Sequence, residues 1–522
     1  MSRSAYGLRF VSAKTADEQR LYFIHAVTLL SILGLACVLR GFALNALGYN
    51  SDEAVYSGQA AAIAQDPILS EFFPIFRAHP LLFQFSLSLI YKFGVSDLAG
   101  RLLSAAVGVV TVYFCYRIGA LLYGEKAGYL AALFLAIMPY HVIVTRQVLL
   151  DGPMTLFSTL TLYLVACYAL TQRPLWLYAS GVGMGLTFLA KETGILFVVS
   201  IFVFLALSPQ IQIRIRDLAL ALAAMALTMA PFPLTLWLAR GGGVSTSRQY
   251  LIWQFFRRPN HDWSFYFTTA APAIGLALIL FACLGLWVLR RKSSWRETLL
   301  LSWIVVPFLY FQLWPTKGYQ YLLPLAPPIA LLAARTMAGW LPGDDLQVRT
   351  RRLKGVSPSL LATGIVALSL LIPTWQSIYP SSSIEFLAGS GGVPGGRASG
   401  EWILSNTPEG TTLMTLGPSM SNLLQFYGHR RALGLSVSPN PLYRNPAYLP
   451  IANPDLQIRL GEIQYLVWDV YSAARSSFFA DKLLEYAQKY NGRVVHVETV
   501  TVMSPNGIPI SEPVIIIYQV QP

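Results

Sequence analysis

Charge is what this chain lacks most. Only 12% of its 522 residues are Asp, Glu, Lys or Arg, about half of the roughly 25% usual in soluble domains. That shortage excludes a disordered protein and an ordinary cytosolic enzyme of two or three domains. Cysteine is scarce as well. The four present, Cys37, Cys115, Cys167 and Cys283, all fall inside apolar stretches. Neither a disulfide framework nor a metal cluster can be read from them, and they say nothing about redox compartment. His25, His141, His429 and His496 form no ligand spacing for a structural metal. No internal repeat is evident. What is abundant is apolar: 55% of residues are hydrophobic, and the mean hydropathy is +0.52. This leaves a polytopic membrane protein. The net charge of +13 would fit a nucleic-acid binder of ordinary polarity, but not a chain this apolar.

A membrane-crossing helix needs about 20 largely apolar residues. The candidate stretches are 21–44, 101–122, 127–144, 152–171, 175–190, 194–208, 217–239, 268–289, 298–313, 319–340 and 359–377. The first is too long for a cleavable signal peptide and is followed by no small-residue cleavage site. Pro80–Phe93 is apolar but reaches only about 21 Å as a helix, short of a hydrocarbon core of about 30 Å. Laid along the interface, it leaves eleven spans, a cytoplasmic N-terminus and an external C-terminus. That arrangement puts 18 of the 29 basic residues before position 380 on the cytoplasmic face, as the positive-inside bias requires. The expected fold is therefore an all-α polytopic bundle of about 11 transmembrane helices over residues 1–379, with a first external loop at 45–100.

Beyond Gly389–Gly396, a flexible linker by composition, the chain changes character. Residues 380–522 hold 9 basic and 10 acidic residues. Thr412–Leu416, Gln464–Trp468, Arg493–Val500 and Pro513–Val520 read as strands, and Ser419–Tyr427 and Ala474–Tyr490 as helices. A small extracytoplasmic α/β domain is expected there. Thr415–Ser419 follows a strand but lacks a dinucleotide fingerprint, so it reads as a plain strand-to-helix turn.

Chemistry concentrates at the outer ends of the spans. Asp52 and Glu53 lie just past the first span. Adjacent carboxylates there serve as a proton acceptor or a metal ligand, or Ser51 or Asp52 simply caps a helix at 53–65. Arg146 and Asp151 flank a span boundary, either as a structural ion pair or as part of a site. Lys191 and Lys317, the latter followed by Tyr319 and Tyr321, sit in external turns. Outward cations run against the positive-inside bias, and an anionic ligand at the outer face would explain them together. Snorkelling of each side chain to the interface is the plainer account. The loop 240–267 mixes Arg257, Arg258 and His261 with aromatic residues, and the first loop carries Tyr56, Arg77 and His79. Such mixtures suit an interface and an anionic headgroup.

The order of these motifs resembles a known family. Asp52-Glu53 resembles the Asp-Glu motif in the first external loop of the C superfamily of glycosyltransferases. His79-Pro80-Leu81 resembles their [Lys/His]-Pro-Pro-Leu segment. Asp97-x3-Arg101-Leu102, Arg146-x4-Asp151, Lys191 and Tyr319-x-Tyr321-x2-Pro324-Leu325 follow in the same order. Over about residues 20–340 the chain looks like glycosyltransferase family 39, the protein O-mannosyltransferases and lipid A aminoarabinose transferases. Leu81 replaces the second proline, and His79 replaces the lysine of the lipid A enzymes, which points away from the aminoarabinose branch.

The resemblance implies an inverting, multi-pass plasma-membrane glycosyltransferase. Such enzymes move a sugar from a polyprenyl or dolichyl monophosphate to an acceptor hydroxyl on a protein, lipid or glycan. Asp52 is the expected general base, with Glu53 in support and Asp151 binding sugar or acceptor. His79, Arg77, Lys191, Arg257 and Arg258 would hold the donor phosphate. Tyr56, Arg146, His261, Lys317, Tyr319 and Tyr321 would line the site. No cofactor is required, although a divalent ion between Asp52 and Asp151 stays open, and no nucleic acid is implied. A transporter of an anionic solute and a lipid-linked oligosaccharide ligase or polymerase are the rival readings. The first would predict repeats and mid-span ionisable residues; the second would need room for a diphosphate.

Overall fold

The computed structural model describes residues 16–75, 79–238, 242–289, 294–339, 358–379, 389–504 and 506–521. The chain enters through α1 (Ala16–Gly41), then makes α2 (Ser51–Ile63), the one-turn α3 (Leu69–Phe72) and α4 (Leu82–Tyr91). A bundle follows: α5 (Asp97–Tyr123), α6 (Glu125–Ile137), α7 (Pro139–Thr145), α8 (Asp151–Thr171), α9 (Pro174–Ala190), α10 (Leu196–Ala206), α11 (Ile215–Met229) and α12 (Pro231–Leu238). Then come α13 (Gly242–Phe255), α14 (Phe265–Ile274), α15 (Leu276–Leu289), α16 (Trp295–Leu313), α17 (Ala326–Ala338) and α18 (Pro358–Ile378).

Among the described residues six helices are long and apolar enough to cross a membrane, or eight if two bent pairs each make one span. Every stretch read as a span is helical, but several are interrupted or short. Pro139 has no N–H to continue the ladder, and α6 and α7 bend by 60° there. Gly275, at φ +94°, lies at a break of 101° between α14 and α15. Pro174–Ala190 and Glu192–Ala206 are too short to count. Hydropathy alone does not see these breaks; by length and composition the described helices support six to eight of the eleven expected spans. At ten residues α4 is about 15 Å long.

The C-terminal region is a five-stranded mixed sheet. Its strands are β1 (Thr412–Thr415), β2 (Arg431–Gly434), β3 (Tyr465–Asp469), β4 (Arg493–Met503) and β5 (Pro509–Gln519), in the order β2-β1-β3-β5-β4. The first three are parallel, as expected for strands joined through helices. α20 (Pro418–Gly428) joins β1 to β2 and α21 (Pro454–Arg459) precedes β3, while α19 (Gly396–Asn406) leads into β1 and α22 (Val470–Ala473) and α23 (Ser477–Lys489) lie between β3 and β4. β5 runs antiparallel to both β3 and β4.

This region is not held at arm's length. One face of the sheet shares a core with the segment 45–100: Tyr49, Phe73 and Phe83, with Val148 before α8, pack with Ile403, Leu423, Val467 and Ile515. Arg397 reaches Asp97 at 2.7 Å and Asn45 at 2.8 Å, and the Tyr427 hydroxyl donates to Asp97 at 2.5 Å. The segment read as a flexible linker is packed too. The carbonyls of Gly389 and Gly391 accept from Gln147 and Asn50. A Cβ at Gly392 would meet the carbonyl of Gly48 at 2.0 Å. Its glycines allow close approach of two backbones rather than freedom of motion.

Candidate active site

The start of α2 is fixed by four hydrogen bonds to one carboxylate. Asn50, not Ser51 or Asp52, is the N-cap: its side chain accepts from the N–H of Glu53, and the Glu53 carboxylate accepts from the N–H of Asn50, both at 3.0 Å. The same carboxylate takes a two-pronged contact from Arg101 on α5, at 2.9 Å and 2.8 Å, and the N–H of Val148 at 3.0 Å. Glu53 is fully buried. It therefore acts as a clamp between α2, α5 and the turn before α8, and its neighbour Asp52 is left on the first turn of a rigid helix.

Asp52 is half-buried, and among the described residues no side chain hydrogen-bonds its carboxylate. Burial raises its pKa above the ordinary carboxylate value, while Lys191, His79 and Arg257 pull the other way. Lys191, Arg257 and the His79 imidazole, from three segments, thus stand near one carboxylate. Each is held by a partner. Lys191 pairs with Asp151, the first residue of α8, at 2.8 Å, with both buried, and lies over the Tyr321 ring at 4.7 Å. The Nδ1 of His79 meets Glu192 at 2.8 Å and its Nε2 meets the Tyr250 hydroxyl at 3.2 Å. Tyr56 packs edge-on to that imidazole. Arg257 rests on Trp253 at 4.8 Å. The site gathers aromatic rings, two basic side chains and an imidazole around a carboxylate that no described side chain hydrogen-bonds. Such a site can accept a proton and, a few ångströms away, stabilise an anion.

The sequence-derived candidates thus divide. Asp52, Asp151, His79, Lys191, Arg257, Tyr56 and Tyr321 converge. Arg258 is exposed, and Arg77 lies outside the described residues. Arg146 does not pair with Asp151; it donates to the carbonyls of Leu39, Arg40 and Phe42, closing the C-terminal end of α1. A helix end offers carbonyls without partners, and a long guanidinium satisfies several at once. Tyr319 packs edge-on against Tyr140, whose hydroxyl donates to the Tyr319 carbonyl. Lys317 lies 5.8 Å above Trp263, with its backbone pinned by Asn260. His261 stacks on Phe265 at 4.1 Å; burial, then Arg475 and Lys317, lower its pKa. Sequence reasoning missed Glu192 and Tyr250 as partners of His79, although both lay in segments already noted. Among the described residues no group of three or more His, Cys, Asp or Glu is placed to hold a metal.

With this geometry in hand, known proteins can be set beside it. The family described as dolichyl-phosphate-mannose-protein mannosyltransferase matches residues 78–237. An undecaprenyl phosphate-α-4-amino-4-deoxy-L-arabinose arabinosyl transferase of Pectobacterium carotovorum is 33% identical over 139 residues, 25% of this chain and 24% of that protein. A protein of the same name from Pseudomonas fluorescens is 29% identical over 156 residues, 30% of this chain and 26% of that one. The matched stretches thus span about a quarter of these relatives. They belong to the branch that His79 had argued against. Among solved structures, ArnT from Cupriavidus metallidurans bound to undecaprenyl phosphate aligns with a TM-score of 0.68 and 14% identity, covering 94% of this chain and 97% of that one. The archaeal oligosaccharyltransferase AglB from Archaeoglobus fulgidus aligns at 0.57 and 14%, covering 94% and 74%. The chain therefore has the fold of C-superfamily glycosyltransferases and resembles the protein O-mannosyltransferase and ArnT type.

Proposed function

We propose that this protein transfers a sugar from a polyprenyl monophosphate to an acceptor hydroxyl at the outer face of the plasma membrane, with inversion. One observation carries the reading: the first turn of α2 sets Asp52, which no described side chain hydrogen-bonds, near the buried Lys191–Asp151 pair, His79 and Arg257. The acceptor oxygen attacks the anomeric carbon and its proton passes to Asp52. The bond from that carbon to the phosphate oxygen breaks, and its electron pair leaves on the lipid phosphate. The growing negative charge falls where fixed cations already stand. Lys191 is held by Asp151, so it stabilises the leaving group from a set position. An ammonium beside Asp151 also fills the role a metal would play there, so the proposed reaction needs no divalent ion. Transfer should then survive chelation by EDTA.

The proposed topology has eleven crossings, some of them by short or bent helices, with α4 along the interface. The N-terminus is cytoplasmic, and the site and the domain at 380–522 are extracytoplasmic. The ArnT-like fold and the aminoarabinose-transferase relatives support a lipid-linked donor. The test is incubation with a panel of polyprenyl-phosphate sugars and mass spectrometry of the products, wild type beside Asp52→Asn. Wild-type turnover in the variant would refute the role of Asp52.

A further inference from the structure

In parallel α/β sheets, ligands bind outside the carboxyl ends of the strands, where the loops converge. Here the segments that leave the three parallel strands are turned toward the membrane-domain site. After β1 comes α20, whose Asn422 donates its amide to the Ser51 hydroxyl at 3.0 Å, one residue from Asp52. After β2 comes the loop holding Tyr443 and Tyr448. The ring of Tyr443 meets that of Phe256 edge-on at 6.5 Å. The half-buried Tyr448 accepts from Asn422 at 3.4 Å. Burial chiefly raises its pKa, with Asn422 opposing, Asp52 adding and Arg257 opposing. After β3 comes Arg475, close enough to His261 to help depress its pKa.

We infer that the C-terminal domain forms the acceptor half of the active site, with Asn422 and Tyr448 positioning a polyhydroxylated acceptor, a sugar hydroxyl, against Asp52. This rests on the proposed reaction but goes beyond it. The division of labour follows from placement. The cations Lys191, His79 and Arg257 belong to the membrane domain and would meet the phosphate. A general base must touch the acceptor hydroxyl, and the C-terminal domain brings Asn422 and Tyr448 to Ser51, the neighbour of Asp52. They are an amide, a phenol and a hydroxyl: neutral groups that both donate and accept. Such a set recognises sugar hydroxyls, and the surrounding rings suit the apolar face of a pyranose. A phosphate-bearing acceptor would call for cationic groups instead.

The experiment is saturation-transfer NMR with methyl glycosides, alongside titration with undecaprenyl phosphate, on the full-length protein in detergent. Wild type should show glycoside saturation that Tyr448→Phe and Asn422→Ala each reduce at least fivefold. Undecaprenyl phosphate affinity should stay within twofold in both. Loss of lipid-phosphate affinity in Tyr448→Phe, or glycoside signals unchanged in both variants, would overturn the inference. So would saturation of a serine-containing peptide but of no glycoside in the wild type. Because these are binding readouts, they decide the inference separately from turnover. If the wild type binds glycosides but transfers no sugar from any polyprenyl-phosphate donor, the proposed reaction fails while the acceptor site stands.

Discussion

Asp52 and Glu53 are adjacent carboxylates, and neutralising them should have opposite consequences. In Glu53→Gln the side chain keeps its shape but loses its charge. One Glu53 oxygen accepts from Arg101 and Val148, the other from Arg101 and Asn50. Whichever way a glutamine amide is turned, its NH2 group must face two N–H donors and satisfies neither. Arg101 is left buried without its counter-ion, although the carbonyls of Leu44, Leu47 and Gly48 still accept from it. Removing one partner of a buried pair costs about 3–5 kcal/mol. Asp52 has no such bonds, so Asp52→Asn should change stability by less than about 0.5 kcal/mol, while losing the roughly 10²–10⁴-fold that a general base contributes. Thermal unfolding in detergent and the transfer assay, run on both variants, separate the two. If Glu53→Gln unfolds with the wild type, or Asp52→Asn unfolds as early as Glu53→Gln, the division into clamp and base is wrong.

Arg257→Ala should weaken undecaprenyl phosphate about tenfold and raise the donor KM, since a hydrogen bond to a charged group contributes about 1.5–3 kcal/mol, and should lower kcat as well because the phosphate charge grows as the bond breaks; an unchanged KM counts against Arg257 as a phosphate ligand. The same variant removes a cation that opposes the raised pKa of Asp52. A base works only when ionised, so transfer declines as pH falls through that pKa, and in Arg257→Ala the acid limb should move to higher pH. A limb that stays put contradicts the assignment. In the C-terminal domain, burial pushes the Asp469 carboxyl up to about 6 against the bond from Ser472. A carboxyl raised on folding favours the fold fully below its unfolded value of 3.8, and that contribution is lost as pH rises through 6. The gap corresponds to ~3 kcal/mol. Unfolding followed from pH 4 to 7 should show that loss in the wild type and a flatter profile in Asp469→Asn; equal profiles would disprove it.

Much of this was legible in the chain because membranes impose strict composition. The shortage of charge announced the bundle, since each charge in hydrocarbon is costly. For the same reason the charges that remained at span ends were worth attention, and Asp52, Asp151, Lys191 and His79 do converge. What hydropathy could not give was where the helices break: Pro139 and Gly275 interrupt helices without interrupting apolarity. Nor could it distinguish Arg146 from Lys191. Both are cations near an outer boundary; one satisfies the carbonyls of α1 and the other pairs with Asp151.

The sequence by itself determined the solvent this protein lives in, the α/β character of its last third and the residue types at the site. Those follow from local pattern: runs of apolar residues, alternation, and charges standing where charges are expensive. Only the tertiary structure decided which carboxylate is free and which is a clamp. That depends on Arg101, 48 residues from Glu53, and on a single backbone N–H at Val148. Only the tertiary structure brought Asn422 within 3.0 Å of Ser51 across 371 residues. No periodicity or spacing in the chain encodes that approach; it arises because the sheet and the segment 45–100 bury one hydrophobic core between them.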